Sequence, residues 1–496
     1  MTEASAYNSL LEHFRSILAL QETQSLLHWD QETMMPKKGI DTRGEELAAL
    51  EAAIHQKLTE PRVREWLEAV ATPADDPVAS GNVREMRRMV ERATKVPQEL
   101  TTELARLAPV GQRDWLAARA SGRFDDFVPT LQRIVALKRS EAQAIAPTDH
   151  LYDALLDEFE PEMQTSRVQE LFERLRPKLR NLLERIVEKR PAQQPLATQV
   201  GPAFQMRLAE RTARVLGYDF DAGRLDLAVH PFTAGGTPGD VRITTRVDEN
   251  ELTDCLFSTI HEVGHALYEQ GIDPSLQLTP VGRAASFGVH ESQSRLWENQ
   301  VARGAAFAHW LYAACRDAVG ALAVTGEAAF YRAINQVHPS TIRTEADEVT
   351  YNLHIIVRFE LELALLDESL AVSDLEAAWN EKMQEHLGVR PSGIADGVLQ
   401  DIHWAAGLLG YFPTYALGNI YAAELFAAMR RDLPDLDTQL RRAEVGPMRE
   451  WLRERIHSRG RLHPPTQLIS QAIGHEPTEA ALVDYLETKF SELYAL

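Results

Sequence analysis

The chain has 496 residues, 44% of them hydrophobic and 25% charged, and a formal net charge of -21 at pH 7. That composition is ordinary for a globular protein with a sizeable core, and the acidic balance argues against nucleic acid or an anionic membrane surface as a partner. Two cysteines, Cys255 and Cys315, make no disulfide framework.

In chain order, the opening MTEASAYNSLLEHFRSILALQETQ lacks the basic start and unbroken apolar stretch of a signal peptide. No apolar run reaches the roughly 18 residues of a membrane helix. A cytoplasmic location is therefore expected. Apolar residues at three- and four-residue intervals predict amphipathic helices over 5–27, 47–70 and 127–145. A further one, Val168 to Val187, carries Leu171, Leu175, Leu179, Leu182 and Leu183 on one face, and Pro177 is expected to kink or divide it. The Pro- and Gln-rich stretch after Lys189 predicts a loop that closes an N-terminal helical lobe of about 1–190. Residues 225–247 break the helical pattern. Their alternation and β-branched content predict two strands joined by a loop with Gly235, Gly236, Pro238 and Gly239. Such a sheet is either an active-site wall or an ordinary surface hairpin.

Immediately downstream stands His261-Glu262-Val263-Gly264-His265. Leu256, Ile260, Val263 and Leu267 form an apolar stripe at helical spacing, which predicts a helix. Histidines four apart share one helical face, so both imidazoles can reach one ion. Glu262 points away by about 100° and can reach a water on that ion as general base. Gly264 is a poor helix former, so either another element approaches closely there or it is tolerated. Cys255 sits among apolar residues and is expected to be a buried thiol, not a nucleophile. A five-residue match has a real chance rate and needs a third ligand. The histidine spacing of one large metallopeptidase class would put that ligand at Gly271, which excludes the class. A glutamate on a second helix remains, with Glu291 ahead of Glu298 in the stretch 290–299. No GxSxG turn and no phosphate-binding glycine loop is present.

Further motifs follow one another in order. They are His230-Pro231-Phe232, Asp240-Val241-Arg242-Ile243-Thr244, His261 to His265, His290-Glu291-Ser292-Gln293, Ile342 to Asp347, and Gly397 to Trp404. Trp29 to Thr33 and Tyr152 to Asp157 accompany them. With these motifs the chain resembles the carboxypeptidase Taq family of thermostable metallocarboxypeptidases, from about residue 7 to the C-terminus. The resemblance implies a mainly α, gluzincin-type fold with a deep groove and a small β-sheet near the metal. It implies a single domain over 1–496, with the metal-site region at about 225–420, and a homodimer. It implies release of C-terminal amino acids, with broad specificity, from peptides with a free C-terminus. One divalent metal per subunit, Zn2+ or Co2+, would be held by His261, His265 and Glu291.

A carboxypeptidase must bind a free carboxylate, for which arginine is suited. Arg343 is the first candidate and Arg242 the second. By looser analogy with related helical enzymes, His403 and Tyr415 would stabilise the developing oxyanion, with Tyr411 as substitute. His230 could line the groove. Asp254, Glu269 and Asp347 are candidates to orient the ligand histidines. A metallo-oligopeptidase or endopeptidase with the same ligands is the alternative. An inactive helical binding protein is the third reading, disfavoured by the intact His261, Glu262, His265 and Glu291 set.

Overall fold

Apolar spacing becomes helix along most of the computed structural model, which describes residues 3–70, 76–146, 150–189, 196, 199–319 and 322–496. The first eight helices are α1 (Glu3–Thr33), α2 (Ile40–Leu58), α3 (Pro61–Ala69), α4 (Pro77–Lys95), α5 (Gln98–Ser121), α6 (Val128–Ile145), α7 (Leu151–Phe159) and α8 (Thr165–Glu188). The helix expected over 47–70 is two helices. Pro61 cannot donate to an α2 continued through it, and its fixed φ instead starts α3. Pro177 does not divide α8, which runs unbroken. An interior proline costs about 3 kcal/mol. Leu171, Leu175, Leu179, Leu182 and Leu183 are all buried along α8, and each contributes roughly 1.5–3 kcal/mol, so packing outweighs the lost bond. The loop expected after Lys189 falls largely outside the described residues.

After α9 (Pro202–Leu216) come β1 (Leu225–Leu227), β2 (Thr233–Thr237) and β3 (Asp240–Thr245). The sheet has three strands, one more than expected, in the order β1-β3-β2. β1 runs parallel to β3, and β2 runs antiparallel to it with a register shift between Ala234 and Thr237. Gly235 and Gly236 belong to β2, and the turn is left to Pro238 and Gly239. The sheet packs on α10 (Leu252–Gly271).

The remaining helices are α11 (Phe287–Arg295), which continues into a π-helical turn (Leu296–Ala302), α12 (Ala305–Val319), α13 (Glu327–Ala333), α14 (Tyr351–Leu366), α15 (Leu375–Leu387), α16 (Pro413–Asp432), α17 (Leu436–Arg441), α18 (Gly446–Arg455), α19 (Pro465–Ile473) and α20 (Ala480–Tyr494). The fold is mainly α with one small sheet. Two hydrophobic clusters hold it. One gathers α1 to α4 around Leu10, Phe14, Val63, Val83 and Met86. The other runs from Leu107 to Phe490 and encloses α10, α11, α14 and α16. Among the described residues no helix is long and apolar enough to cross a membrane.

Candidate metal centre and active site

Two helices build the centre. On α10, Leu256, Ile260, Val263 and Leu267 are buried in the main core, which fixes the rotation of His261 and His265 on the adjoining face. On α11, Ser286 caps the first turn by accepting from Val289 N, and Glu291 follows it. Glycine sets the distance between the helices. A Cβ on Gly264 would lie 2.5 Å from Ser294 Cα and 2.7 Å from the Gln293 carbonyl oxygen. A Cβ on Gly418 of α16 would lie 2.6 Å from Glu291 Cγ. Glu291 is thus seated between two helices that approach it only because both lack a side chain there.

The donor atoms of His261, His265 and Glu291 lie within 4.8 Å of one another. Glu291 Oε2 is 3.7 Å from His261 Nε2 and 3.5 Å from His265 Nε2. Bonds of about 2.0–2.2 Å to a tetrahedral ion put neighbouring donors about 3.3–3.6 Å apart. Donor chemistry and spacing therefore fit a divalent cation. Glu298 does not join them. The π-helical turn carries its Oε2 to within 3.0 Å of His261 Nδ1, on the opposite side of the ring. A carboxylate there fixes the tautomer that leaves Nε2 free to ligate.

Burial and charge act in opposite directions on the two imidazoles. Burial holds His265 neutral, pushed down to about 3. Burial also opposes charge on His261, but the Glu291 and Glu298 carboxylates outweigh it and raise that imidazole. Glu291 pays a desolvation cost that Arg295 and His261 more than offset, so it stays well below the usual carboxylate range. Arg295 Nε donates to Glu291 Oε1 at 2.7 Å. Glu262 is also buried, and desolvation raises its carboxyl against the pull of His261 and Thr233. Thr233 Oγ1, from β2, donates to Glu262 Oε2 at 2.7 Å. The small sheet thereby meets the α10 glutamate directly.

A second group adjoins this one. His403 Nε2 and Tyr415 Oη are 3.2 Å apart, and the Tyr411 and Tyr415 rings pack edge to face at 5.3 Å. Both tyrosines are raised first by burial, with Glu291 adding to it. Burial pushes His403 down to about 4, so it is neutral. Arg343 lies over the Tyr415 ring at 4.9 Å and donates to Tyr351 Oη at 3.1 Å. It pairs with Asp401 at 2.8 Å, and Arg358 pairs with the other oxygen of Asp401 at 2.6 Å. Two guanidiniums against one carboxylate leave one positive charge in excess.

The other candidates lie further out. Arg242 pairs with Asp240 at 2.8 Å and stacks 4.3 Å over Trp29 of α1. His230 is exposed on the segment entering β2. Asp254 pairs with Arg246 at 2.6 Å, and Asp347 accepts from His338 N, Val349 N and Thr350. Glu269 bonds His290 at 2.9 Å, and His290 stacks on His265 at 4.4 Å. Of the three proposed orienting carboxylates, then, only Glu269 stands near a ligand histidine, and through another ring. Glu298, Arg295 and Thr233 are the neighbours that sequence reasoning did not place in these roles. Glu298 carried the clearest signal, as the second carboxylate of the stretch 290–299, and Thr233 directly follows His230-Pro231-Phe232.

A model of the carboxypeptidase Taq (M32) metallopeptidase family matches residues 9–490. Thermostable carboxypeptidase 1 of Thermus thermophilus is 44% identical over 509 aligned residues, covering 100% of both chains. Carboxypeptidase 1 of Bacillus subtilis is 38% identical over 96% of each. The crystal structure of an M32 carboxypeptidase from Deinococcus radiodurans superposes with a TM-score of 0.95 at 36% identity, covering 99% of this chain and 100% of that one.

Proposed function

The chain belongs to the carboxypeptidase Taq (M32) family of metallopeptidases, and from that premise we propose that it removes C-terminal amino acids of broad identity from peptides, with Glu262 as general base. Metal-dependent carboxypeptidase activity is the family's chemistry. Held by His261, His265 and Glu291, a divalent ion, zinc first and cobalt second, would polarise the scissile carbonyl and acidify the attacking water. Glu262 takes the water's proton at Oε1, since Oε2 is held by Thr233, and returns it to the leaving amine. Its raised pKa suits both halves of that cycle, because a base of moderate strength also releases its proton.

Tyr415 donates its hydroxyl to the developing oxyanion, with neutral His403 fixing its direction and Tyr411 able to substitute. The excess positive charge of Arg343, Arg358 and Asp401 reads the terminal carboxylate. Arg242 and His230 line the approach. We read the protein as a single-domain cytoplasmic homodimer. The observation that carries the proposal is the convergence of three donors from α10 and α11 beside the buried Glu262.

One peptide supplied as free acid and as C-terminal amide, with added zinc or cobalt and a chelator control, tests this by mass spectrometry. Stepwise loss of single residues from the free acid alone, abolished by chelator, is expected. Internal cleavage of both forms makes the protein an oligopeptidase, and no cleavage with any metal leaves a binding protein.

A further inference from the structure

Helix α7 supplies none of the side chains above, yet it touches both halves of the site. Near its start, Tyr152 Oη donates to Glu362 Oε2 at 2.6 Å. The same carboxylate, on α14, accepts from Trp404 Nε1 at 2.8 Å and from Gly410 N at 3.1 Å. Trp404 and Gly410 bracket the loop between His403 and Tyr411. Gly410 has φ of +91°, and a Cβ there would lie 2.8 Å from the Leu155 carbonyl carbon of α7. The loop therefore rests directly on the helix backbone. Phe159 then packs edge to face on Tyr411 at 5.0 Å.

Immediately after α7, Glu160 does the equivalent for the ligand helix. It accepts from Gly288 N, in the first turn of α11, at 3.1 Å, and from Tyr421 Oη of α16 at 3.1 Å. A Cβ on Gly288 would lie 2.5 Å from Glu160 Oε2. Phe159 also meets Phe287 at 5.7 Å. Neither Glu160 nor Glu362 is exposed at all, and neither forms an ion pair among the described residues. Burial pushes both carboxyls up to about 7. A buried carboxyl without a cation is unfavourable by itself. Each of these instead gathers neutral donors from two segments other than its own, a geometry that fixes the three segments relative to one another.

We infer that α7 is the common support of the site, with Glu362 and Glu160 as positioning residues for its two halves. Glu362 sets the loop that delivers His403, Tyr411 and Tyr415. Glu160 sets the helix start that delivers Glu291. The inference rests on the roles proposed for those side chains.

The test is a double dissociation in the full-length enzyme, using Glu362→Leu and Glu160→Leu. Zinc affinity is measured by chelator competition, and kcat and KM on a free-acid peptide at saturating zinc. Glu362→Leu is expected to lose roughly 100-fold in kcat, as for a misplacement of about 1 Å, with zinc affinity within threefold of wild type. Glu160→Leu is expected to lose roughly 10- to 100-fold in zinc affinity and to keep most of kcat once loaded. Tyr152→Phe and Tyr421→Phe remove one donor each and leave the carboxylates in place. They should show the same split at roughly two- to tenfold, which keeps the test open should a leucine variant not fold. Equal losses in both readouts, or none in either, overturn the inference. A wild type that binds zinc but releases no residue refutes the proposed function instead, while the zinc measurement on the Glu160 and Tyr421 variants still reads the support.

Discussion

Gly264→Ala pits two effects of opposite sign against each other. Alanine is the better helix former by about 1 kcal/mol, so propensity alone predicts a more stable protein. Packing predicts the reverse. The new Cβ would lie 2.5 Å from Ser294 Cα, 2.7 Å from Gln293 O and 2.9 Å from Ser294 N, all backbone atoms of α11 that no rotamer change removes. Restoring an ordinary contact of about 3.5 Å requires α10 and α11 to part by about 1 Å. Overpacking of that kind costs about 1–3 kcal/mol, which cancels or exceeds the propensity gain. The metal site suffers more. The separations of 3.7 and 3.5 Å between Glu291 Oε2 and the two imidazoles would grow toward about 4.5 Å, beyond twice a ligand bond of about 2.1 Å. Zinc affinity should therefore fall at least tenfold while the apo protein stays folded. Gly44→Ala, in α2 with nothing within 4 Å of its added Cβ, is the matched control and should stabilise by about 1 kcal/mol. Chelator competition and thermal unfolding of both apo variants decide the matter. If Gly264→Ala binds zinc like wild type and gains stability like Gly44→Ala, close approach of the helices is not what places Glu291.

Glu262→Gln should keep its zinc and lose roughly 100- to 10,000-fold in kcat; a metallated variant with normal turnover removes it as base. Arg343→Ala should raise KM for a free-acid peptide and leave binding of the matching amide unchanged, since Asp401 otherwise keeps Arg358 as its partner; equal effects on both peptides mean that it does not read the carboxylate. Glu362 gives a pH signature. Burial raises it from 4.5 to about 7 in the fold, so the folded state holds its proton more tightly than the unfolded chain does. Stability from that proton is complete below 4.5 and is lost as pH rises through 7, on the order of 3 kcal/mol in all. Unfolding of the wild type and of Glu362→Gln between pH 4.5 and 8 should converge or cross accordingly, and parallel curves would show that Glu362 does not titrate in this range.

What could be read from the sequence was local in character. The two ligand histidines and Glu262 lie within five consecutive residues of one helix, where periodicity dictates direction. The ambiguity at 290–299 turned on the helix type. In a regular helix Glu291 and Glu298 share a face, and both could aim at one ion. The π-helical turn at Leu296–Ala302 shifts the register, so Glu298 addresses the far side of the His261 ring. Nothing in the composition of that stretch announces the turn. The third strand was missed for a different reason. The expected first strand is divided: β1 ends at Leu227, and beyond Pro231 a separate β2 takes in Gly235 and Gly236, residues whose type signals a loop. The division of 47–70 at Pro61 was, by contrast, available from the proline itself.

Contacts between distant segments account for the rest, and their charge balance connects the two halves of the site. Around the ligands, the carboxylates of Glu291 and Glu298 pair with the guanidiniums of Arg295 and Arg303, and the Glu262 carboxylate beside them is held by the neutral Thr233 hydroxyl. With neutral imidazoles that leaves one negative charge in a buried region, which is unfavourable until a cation arrives. Around Asp401 the imbalance has the opposite sign, because Arg343 and Arg358 share a single carboxylate. Tyr351 and Tyr415 lie between the two regions. Arg295 stacks on the Tyr351 ring at 4.2 Å, and Arg343 bonds the Tyr351 hydroxyl. A peptide end laid across this pair would meet the positive region with its carboxylate and the metal region with its last amide carbonyl. That ordering supports cleavage at the final bond over an internal one. An amidated peptide offers nothing to offset the Arg343 and Arg358 excess, so the free-acid preference should weaken as salt rises and screens it. A preference that is insensitive to salt would point to shape, not charge, as the source of exopeptidase specificity.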